Sequence, residues 1–333
     1  MCYSAQVWAD YQRYVRTYQA ELDIREFYEL FVRRSQGQKT PLPKAMEAAL
    51  LRGDLPDGVG MDEGAAIAEL ITGHQQQLAA ELEEELFRQR RRLADAQRSL
   101  QQRLTKTAQE SERIAGAKVE ALKGRLADLR RSELLPRDHR IYPGHMVPVM
   151  VMEQGRRVIK PMRYQCRPAG KPADYDRQYP GTYNARRDNL TGFWRRQFGH
   201  QHGLVLMEAF YENVPAHKVE GRELAEGEAA QNRILEFRPR NLPGPGMLVA
   251  CLWSRWTPPP RGPDAGLPPL LSFAAITDEP PPEVAAAGHD RCVIPVRPEH
   301  IDAWLAPDPA DLARSQAVLD ERERPVYAWA LAA

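Results

Sequence analysis

A chain of 333 residues is long enough for one large domain or two modest ones, and its net charge of +1, from 46 Lys and Arg against 45 Asp and Glu, argues neither for nor against a polyanionic partner, so any basic surface must be local. No stretch approaches the roughly 18 uninterrupted apolar residues of a membrane span, and the start lacks the basic-then-apolar pattern of a signal peptide, which points to a cytoplasmic protein. The four cysteines, Cys2, Cys166, Cys251 and Cys292, have no CxxC spacing, so a zinc site is not expected and a reducing compartment leaves them as thiols.

The chain opens Met1-Cys2. Removal of Met1 leaves an α-amine (ordinary pKa roughly 7.7 to 8.0) and a thiol (roughly 8.5) on adjacent carbons. An aldehyde meeting that pair forms a Schiff base with the amine and is then captured by sulfur as a five-membered thiazolidine, a ring no internal cysteine can close. The plain alternative for Cys2 is a small residue at a frayed terminus.

Residues 1 to about 61 read as mostly helical, with Val7, Tyr11, Tyr14, Val15 and Tyr18 on one face and Phe27, Leu30 and Phe31 on another, ending in a loop around Pro56 and Gly60. From Met61 to Leu135 there is no proline, and Leu78, Leu82, Leu86, Leu93, Leu100 and Leu104, then Leu122, Leu126 and Leu129, recur at helical and heptad spacings. This predicts a long helix or helical hairpin with a coiled-coil arm over 74–132, about 90 Å long if continuous at about 1.5 Å per residue, and a bend at Ser111 to Gly116. The Arg90-Arg91-Arg92 run reads first as a solvated face. The leucine seam must pack on itself, on the rest of the protein or on a second copy, and the homodimer is the expectation.

Beyond Pro136 the texture changes to short apolar and β-branched runs between Pro and Gly: Val147 to Met152, Gly203 to Phe210, Met247 to Trp253, Leu270 to Ile276 and Cys292 to Val296. The fold class is therefore α+β, with a strand-rich domain carrying a long helical arm, and a helical tail over 308–333. Cys251 and Cys292 lie in apolar runs and should pack in the core.

Four segments carry chemistry. Asn184-Ala185-Arg186 follows a Pro/Gly/Tyr loop, where an arginine can fork onto a phosphate. Glu212 closes an apolar strand within Glu208-Ala209-Phe210-Tyr211-Glu212, a candidate for proton transfer, although most strand-end glutamates are merely solvated. Ala250-Cys251-Leu252-Trp253 reads as a buried strand. His289, in His289-Asp290-Arg291-Cys292, sits on the loop before a strand, a common place for a working imidazole and also for an inert one. His200 and His202 form a His-x-His pair without an accompanying acid or Cys cluster, so no metal and no cofactor are expected. Trp194, Arg195 and Arg196, beside Phe193, suit stacking on single-stranded DNA, and an amphipathic helix edge explains them equally well.

Taken together and in order, these segments resemble the SOS-response-associated peptidase family, the SRAP domain. Its members begin Met-Cys and carry an Asn-Ala-Arg segment, a Gly-Phe-Tyr-Glu-Trp segment, an Ala-Gly-Leu-Trp strand and a His-Asp-Arg-Met-Pro motif; the counterparts here are Met1-Cys2, Asn184 to Arg186, Ala209 to Asn213, Ala250 to Trp253 and His289 to Cys292. Met162-Arg163-Tyr164 resembles the family's Met-Arg-Trp strand, and Ile301 to Leu305 its closing Trp-Asp-Ala-Trp-Leu. The resemblance covers 1–14 and 140–307, which makes 15–139 a helical insertion. It implies a protein, associated with the nucleoid, that senses abasic sites in single-stranded DNA and crosslinks to them through Cys2. Glu212 and His289 would move protons, Asn184 would hold the nucleophile or sugar, and Arg186 would hold phosphate, with Arg163, Trp194, Arg195 and Arg196 as further DNA contacts. The family name implies a peptidase, read here as self-cleavage that exposes Cys2. Departures are Tyr3 and Ser4 in place of Gly-Arg, Asn213 in place of Trp, Asp188 at the acidic position after Asn-Ala-Arg and Cys292 in place of Met. Two alternatives stand beside this reading: a cysteine peptidase acting on other chains through Cys2 and His289, and a coiled-coil interaction protein whose SRAP-like part no longer reacts.

Overall fold

The computed structural model describes residues 4–7, 11–53, 55, 61–242, 244 and 246–332. Cys2, Tyr3, Pro56, Gly60 and the side chain of Tyr14 lie outside the described part. A strand, β1 (Ser4–Val7), opens it where a helix was expected, so Val7 belongs to a sheet. Helix α1 (Tyr11–Tyr18), strand β2 (Glu21–Leu22) and helices α2 (Ile24–Ser35) and α3 (Lys44–Leu51) follow. Their buried faces include Tyr11, Tyr18, Phe27, Leu30 and Phe31. Asp23 caps α2 by accepting the Glu26 N–H at 3.1 Å.

Two long helices, α4 (Met61–Gln102) and α5 (Lys106–Arg130), form an antiparallel hairpin. Leu82 and Leu86 of α4 pack on Val119, Leu122 and Leu126 of α5, so the seam expected to seek a second copy is covered by the chain itself. The bend falls after Gln102 rather than at Ser111 to Gly116, because Thr105 caps α5 by accepting the Ala108 N–H at 3.2 Å. Gly116 stays helical; a Cβ there would lie 4.0 Å from Leu93 Cδ1. At the base, Ile67 and Ile71 join the core beside Phe27, Phe31 and Met46. Arg131 ties the returning strand down through two bonds to the buried Asp138, at 2.8 and 2.9 Å.

The chain then runs through β3 (Arg140–Ile141), β4 (Met146–Glu153), β5 (Arg156–Tyr164), α6 (Tyr175–Gln178), β6 (Asn184–Arg186), β7 (His202–Pro215), α7 (Ala216–Val219), β8 (Asn232–Pro239), β9 (Met247–Trp256), β10 (Leu270–Asp278), α8 (Pro282–Ala286), β11 (Cys292–Val293), α9 (Ile301–Leu305), α10 (Leu312–Asp320) and β12 (Tyr327–Leu331). The tail expected to be helical is therefore helix only in α10; its end pairs antiparallel with β8.

Five strands close on themselves. β4 pairs with β5 and with β7, β7 with β9, β9 with β10, and β10 returns to β5 in parallel through Ser272–Arg163 and Phe273–Tyr164. Closure leaves no free edge around the ring. Side chains alternate across each strand. Val149, Tyr164, Val205, Val249 and Phe273 meet in one cluster inside the ring, whereas Met150, Ile159, Leu204, Leu248 and Ala274 pack outward with residues of α1, α2, α3, α4 and α9. The interior is tight at Gly203, where a Cβ would approach Cys251 Sγ and Val149 Cγ1 to 3.0 Å. Beyond the ring, the second half of β7 runs between β1 and β8, with Ser4 opposite Tyr211 and Leu235 opposite Glu212.

Candidate active site

The period-two alternation of β7 sets Glu212 on the same face as Phe210 and Val214, the face turned into the apolar interior. Glu212 is 1% exposed there. A carboxylate so deep needs a partner, and His289 supplies one, with Nε2 3.1 Å from Glu212 Oε2. The other ring nitrogen, Nδ1, lies 3.0 Å from the Arg291 carbonyl and 3.3 Å from the Arg291 N–H. If Nδ1 donates to the carbonyl, Nε2 either accepts from a protonated Glu212 or belongs to an imidazolium; if Nδ1 accepts from the amide, Nε2–H donates to the carboxylate. In every case one proton lies between Glu212 and His289, which is what a general acid/base pair needs.

His289 is delivered by a turn that reading the sequence for chemistry passed over. Helix α8 ends in the Ala-Gly-His sequence, and Gly288 adopts φ +94°, the left-handed conformation that closes helices. A Cβ at Gly288 would also come within 2.9 Å of Lys218 Cβ and 3.0 Å of Val214 Cγ1, so only glycine lets the loop press against β7. A glycine one residue before the histidine was the available signal.

Asn184 is buried on β6, its Oδ1 accepting the Thr277 hydroxyl at 2.6 Å. Thr277 of β10 lies between Arg186 of β6 and Val293 of β11, so the Asn184-to-Arg186 strand and the strand that follows His289 flank the same residue. Arg186 is exposed and ion-paired with Asp188, 3.1 Å from Nε; that hydrogen bond raises its pKa, and Asp290 beside it adds to the effect. Glu212 and His289 thus meet from β7 and the loop before β11, while Asn184 and Arg186 lie on β6, which pairs with β10 as β11 does. Cys2 lies outside the described residues, two positions before Ser4. Ser4 Oγ accepts from Arg140 at 2.9 and 3.0 Å, and the Arg140 guanidinium lies 3.9 Å from the Tyr211 ring centroid.

Other expected contacts sit elsewhere. Arg163 is turned inward, 2.7 Å from Asp176, a carboxylate that burial would raise but that Arg167 and Arg163 together hold below the usual range. Its guanidinium supports the loop after β5 rather than facing a phosphate. Trp194 is 3% exposed and packs in the outer core, while its neighbours Phe193, Arg195 and Arg196 are exposed. His202 spends both ring nitrogens internally: Nε2 accepts the Gly199 N–H at 2.8 Å and Nδ1 donates to the Trp304 carbonyl at 2.9 Å, while burial drives its pKa down to about 3. Burial likewise pushes the Cys166 and Cys292 thiols up to about 12 and raises that of Cys251 well above its ordinary value, so the described cysteines remain thiols at neutral pH. Among the described residues no group of His, Cys, Asp and Glu could hold a metal ion, and no helix is long and apolar enough to cross a membrane.

A family model described as SOS response associated peptidase (SRAP) matches residues 97–331. Among solved structures, the chain is similar to a protein from Bordetella bronchiseptica, at 19% identity and a TM-score of 0.45, covering 59% of this chain and 87% of that one. A protein from Bacteroides thetaiotaomicron matches at 15% identity and a TM-score of 0.42, covering 54% and 72% respectively. A phage-related protein from Bordetella bronchiseptica matches at 17% identity and a TM-score of 0.41, covering 61% and 85%. No curated protein matches the sequence.

Proposed function

Since the chain belongs to the SOS-response-associated peptidase family, one tied to the response to DNA damage, we propose that it captures abasic sites in single-stranded DNA as a covalent thiazolidine on Cys2. The observation that carries this reading is the buried Glu212–His289 pair on the strand that β1 joins. Ser4, two positions after Cys2 in the sequence, pairs with Tyr211, the neighbour of Glu212.

The chemistry balances without a cofactor. The Glu212–His289 pair donates a proton to the ring oxygen and takes up the proton of the anomeric hydroxyl as the deoxyribose opens to its aldehyde. The α-amine of Cys2 adds to that carbon, the resulting hydroxyl leaves as water with a proton returned through the pair, and the thiol sulfur closes on the imine carbon while its proton passes to nitrogen. Asn184 holds the sugar, and the exposed Arg186 pairs with the phosphate in competition with Asp188. The same geometry weighs against a thiol–imidazole peptidase dyad acting on other chains, because Nε2 of His289 faces Glu212 and Nδ1 faces Arg291.

Incubation of the Met1-processed protein with a single-stranded oligonucleotide bearing one abasic site should give a denaturation-resistant adduct. Cys2→Ala abolishes it, and Cys2→Ser gives at most a slower, less stable one. An unmodified aldehyde after incubation with folded wild-type protein would remove the proposal.

A further inference from the structure

The charge of α4 is sharply divided along its length. Residues 61–85 carry seven Asp and Glu and no Lys or Arg, whereas residues 86–109, which take in the outer end of α4, the turn and the start of α5, carry seven Lys and Arg and one Asp. That one acid, Asp95, is ion-paired with Arg98. The basic side chains at 88, 90, 91, 92, 98, 103 and 106 are all exposed, and among the described residues Arg90, Arg103 and Lys106 are in no ion pair. The outer end of the arm thus carries a net charge of +6 over 86–109 (seven basic less one acidic) in a chain of net charge +1, with Glu110, ion-paired with Arg113, and Glu112 next along α5; α4 itself is a helix of 42 residues or about 63 Å at about 1.5 Å per residue.

The tip is shaped as well as charged. A shallow cleft of about 620 Å³ lies between the two helices there, lined by Arg88, Arg91 and Arg92, by Asp95, and by Ser99, Thr105, Thr107 and Ser111. Arg92 already donates to Ser111 Oγ at 3.0 Å, which fixes one guanidinium in the cleft wall. Guanidinium forks and hydroxyls are among the side chains that contact phosphate oxygens, and such contacts carry no sequence information. Arg91 also lies 5.9 Å from the ring centroid of the exposed Phe87.

We propose that the tip of the α4–α5 arm is a second, sequence-independent binding element for the phosphate backbone of duplex DNA, separate from the lesion site. The choice of DNA over another polyanion rests on the lesion-capture reading; the charge and the cleft do not. Phosphate contacts by exposed arginines release counterions, so each one lost lowers the slope of log affinity against log salt by roughly 0.9 on duplex DNA.

The test measures binding of undamaged duplex to the full chain by fluorescence anisotropy across a salt series, in a Cys2→Ala background so that no covalent capture contributes. Arg88→Gln, Arg91→Gln and Arg92→Gln combined, changes that keep good helix formers on an exposed face, should reduce the salt slope by about 2.7 and weaken binding about tenfold or more at low salt. Circular dichroism and the adduct rate on a short abasic oligonucleotide, measured with Cys2 intact, should not change. An unaltered slope in a folded triple variant overturns the proposal, as does loss of binding to a polyglutamate probe with duplex binding intact, which would assign the tip to an acidic protein. If no adduct forms with Cys2 intact but the slope still drops, the lesion reading fails and the tip stands.

Discussion

Residue by residue, the account turns on a proton held between Glu212 and His289. Glu212→Gln removes the carboxylate while keeping its shape, and His289→Ala removes the ring; each should slow adduct formation by roughly 10²-fold to 10⁴-fold in single-turnover kinetics while leaving DNA affinity unchanged, and undiminished rates in both would show that the wrong groups had been chosen. Gly288→Ala acts on the same pair indirectly. It forces an L side chain into φ +94° against Val214 and Lys218, so adduct formation should slow and the melting temperature should fall by a few degrees, as strain of about 1–3 kcal/mol implies. His202 makes a prediction about pH. Its folded pKa near about 3 lies far below the ordinary 6.5, so both states are neutral above 6.5 and the contribution is full there. As pH falls below 6.5 the unfolded chain takes up a proton that the folded one refuses, and stability declines by at most about 1.4 kcal/mol per pH unit. Urea midpoints between pH 6.5 and 5 should fall in the wild type and fall less in His202→Gln.

At the scale of elements, what the sequence disclosed and what it hid have identifiable causes. The runs Val147 to Met152, Met247 to Trp253 and Leu270 to Ile276 announce strands because the ring buries both faces, leaving little polar alternation to confuse the pattern. Tyr327–Leu331 was hidden because its alanines favour helix, and only pairing with β8 makes it a strand. Leucine spacing revealed the arm but not its turn, since a side-chain cap at Thr105 decides where the hairpin reverses. The arm's seam is internal, yet its root is not: Ile67 and Ile71 are fully part of the main core. Replacing 87–121 by a short Gly-rich turn should therefore leave the fold and adduct formation within a few-fold of wild type, whereas removing 62–135 should cost the core itself, as thermal melts of the two variants would reveal. A truncated 87–121 variant that folds yet fails to capture the lesion would make the arm part of the reactive site.

Across the whole molecule, the site was legible only through the order of its short motifs. Nothing in the local pattern around Glu212 or His289 separates a working pair from a solvated glutamate and a loop imidazole; the barrel joins them by carrying one strand past its rim and pressing a glycine turn against it. Arg163 and Trp194 misled for the same physical reason in reverse: a partner, Asp176, and the outer core claim them, and neither claim is written near them in the chain. The closure of five strands gives a frame on which Glu212 and His289, distant in sequence, are brought into contact. The measurement that bears most directly on this account is intact-mass and peptide-mapping mass spectrometry of the product formed with a single-stranded abasic oligonucleotide. The account predicts a protein lacking Met1, a mass equal to protein plus oligonucleotide less one water, and attachment confined to the peptide that begins with Cys2. Attachment at a lysine, or an adduct on protein that retains Met1, would contradict it.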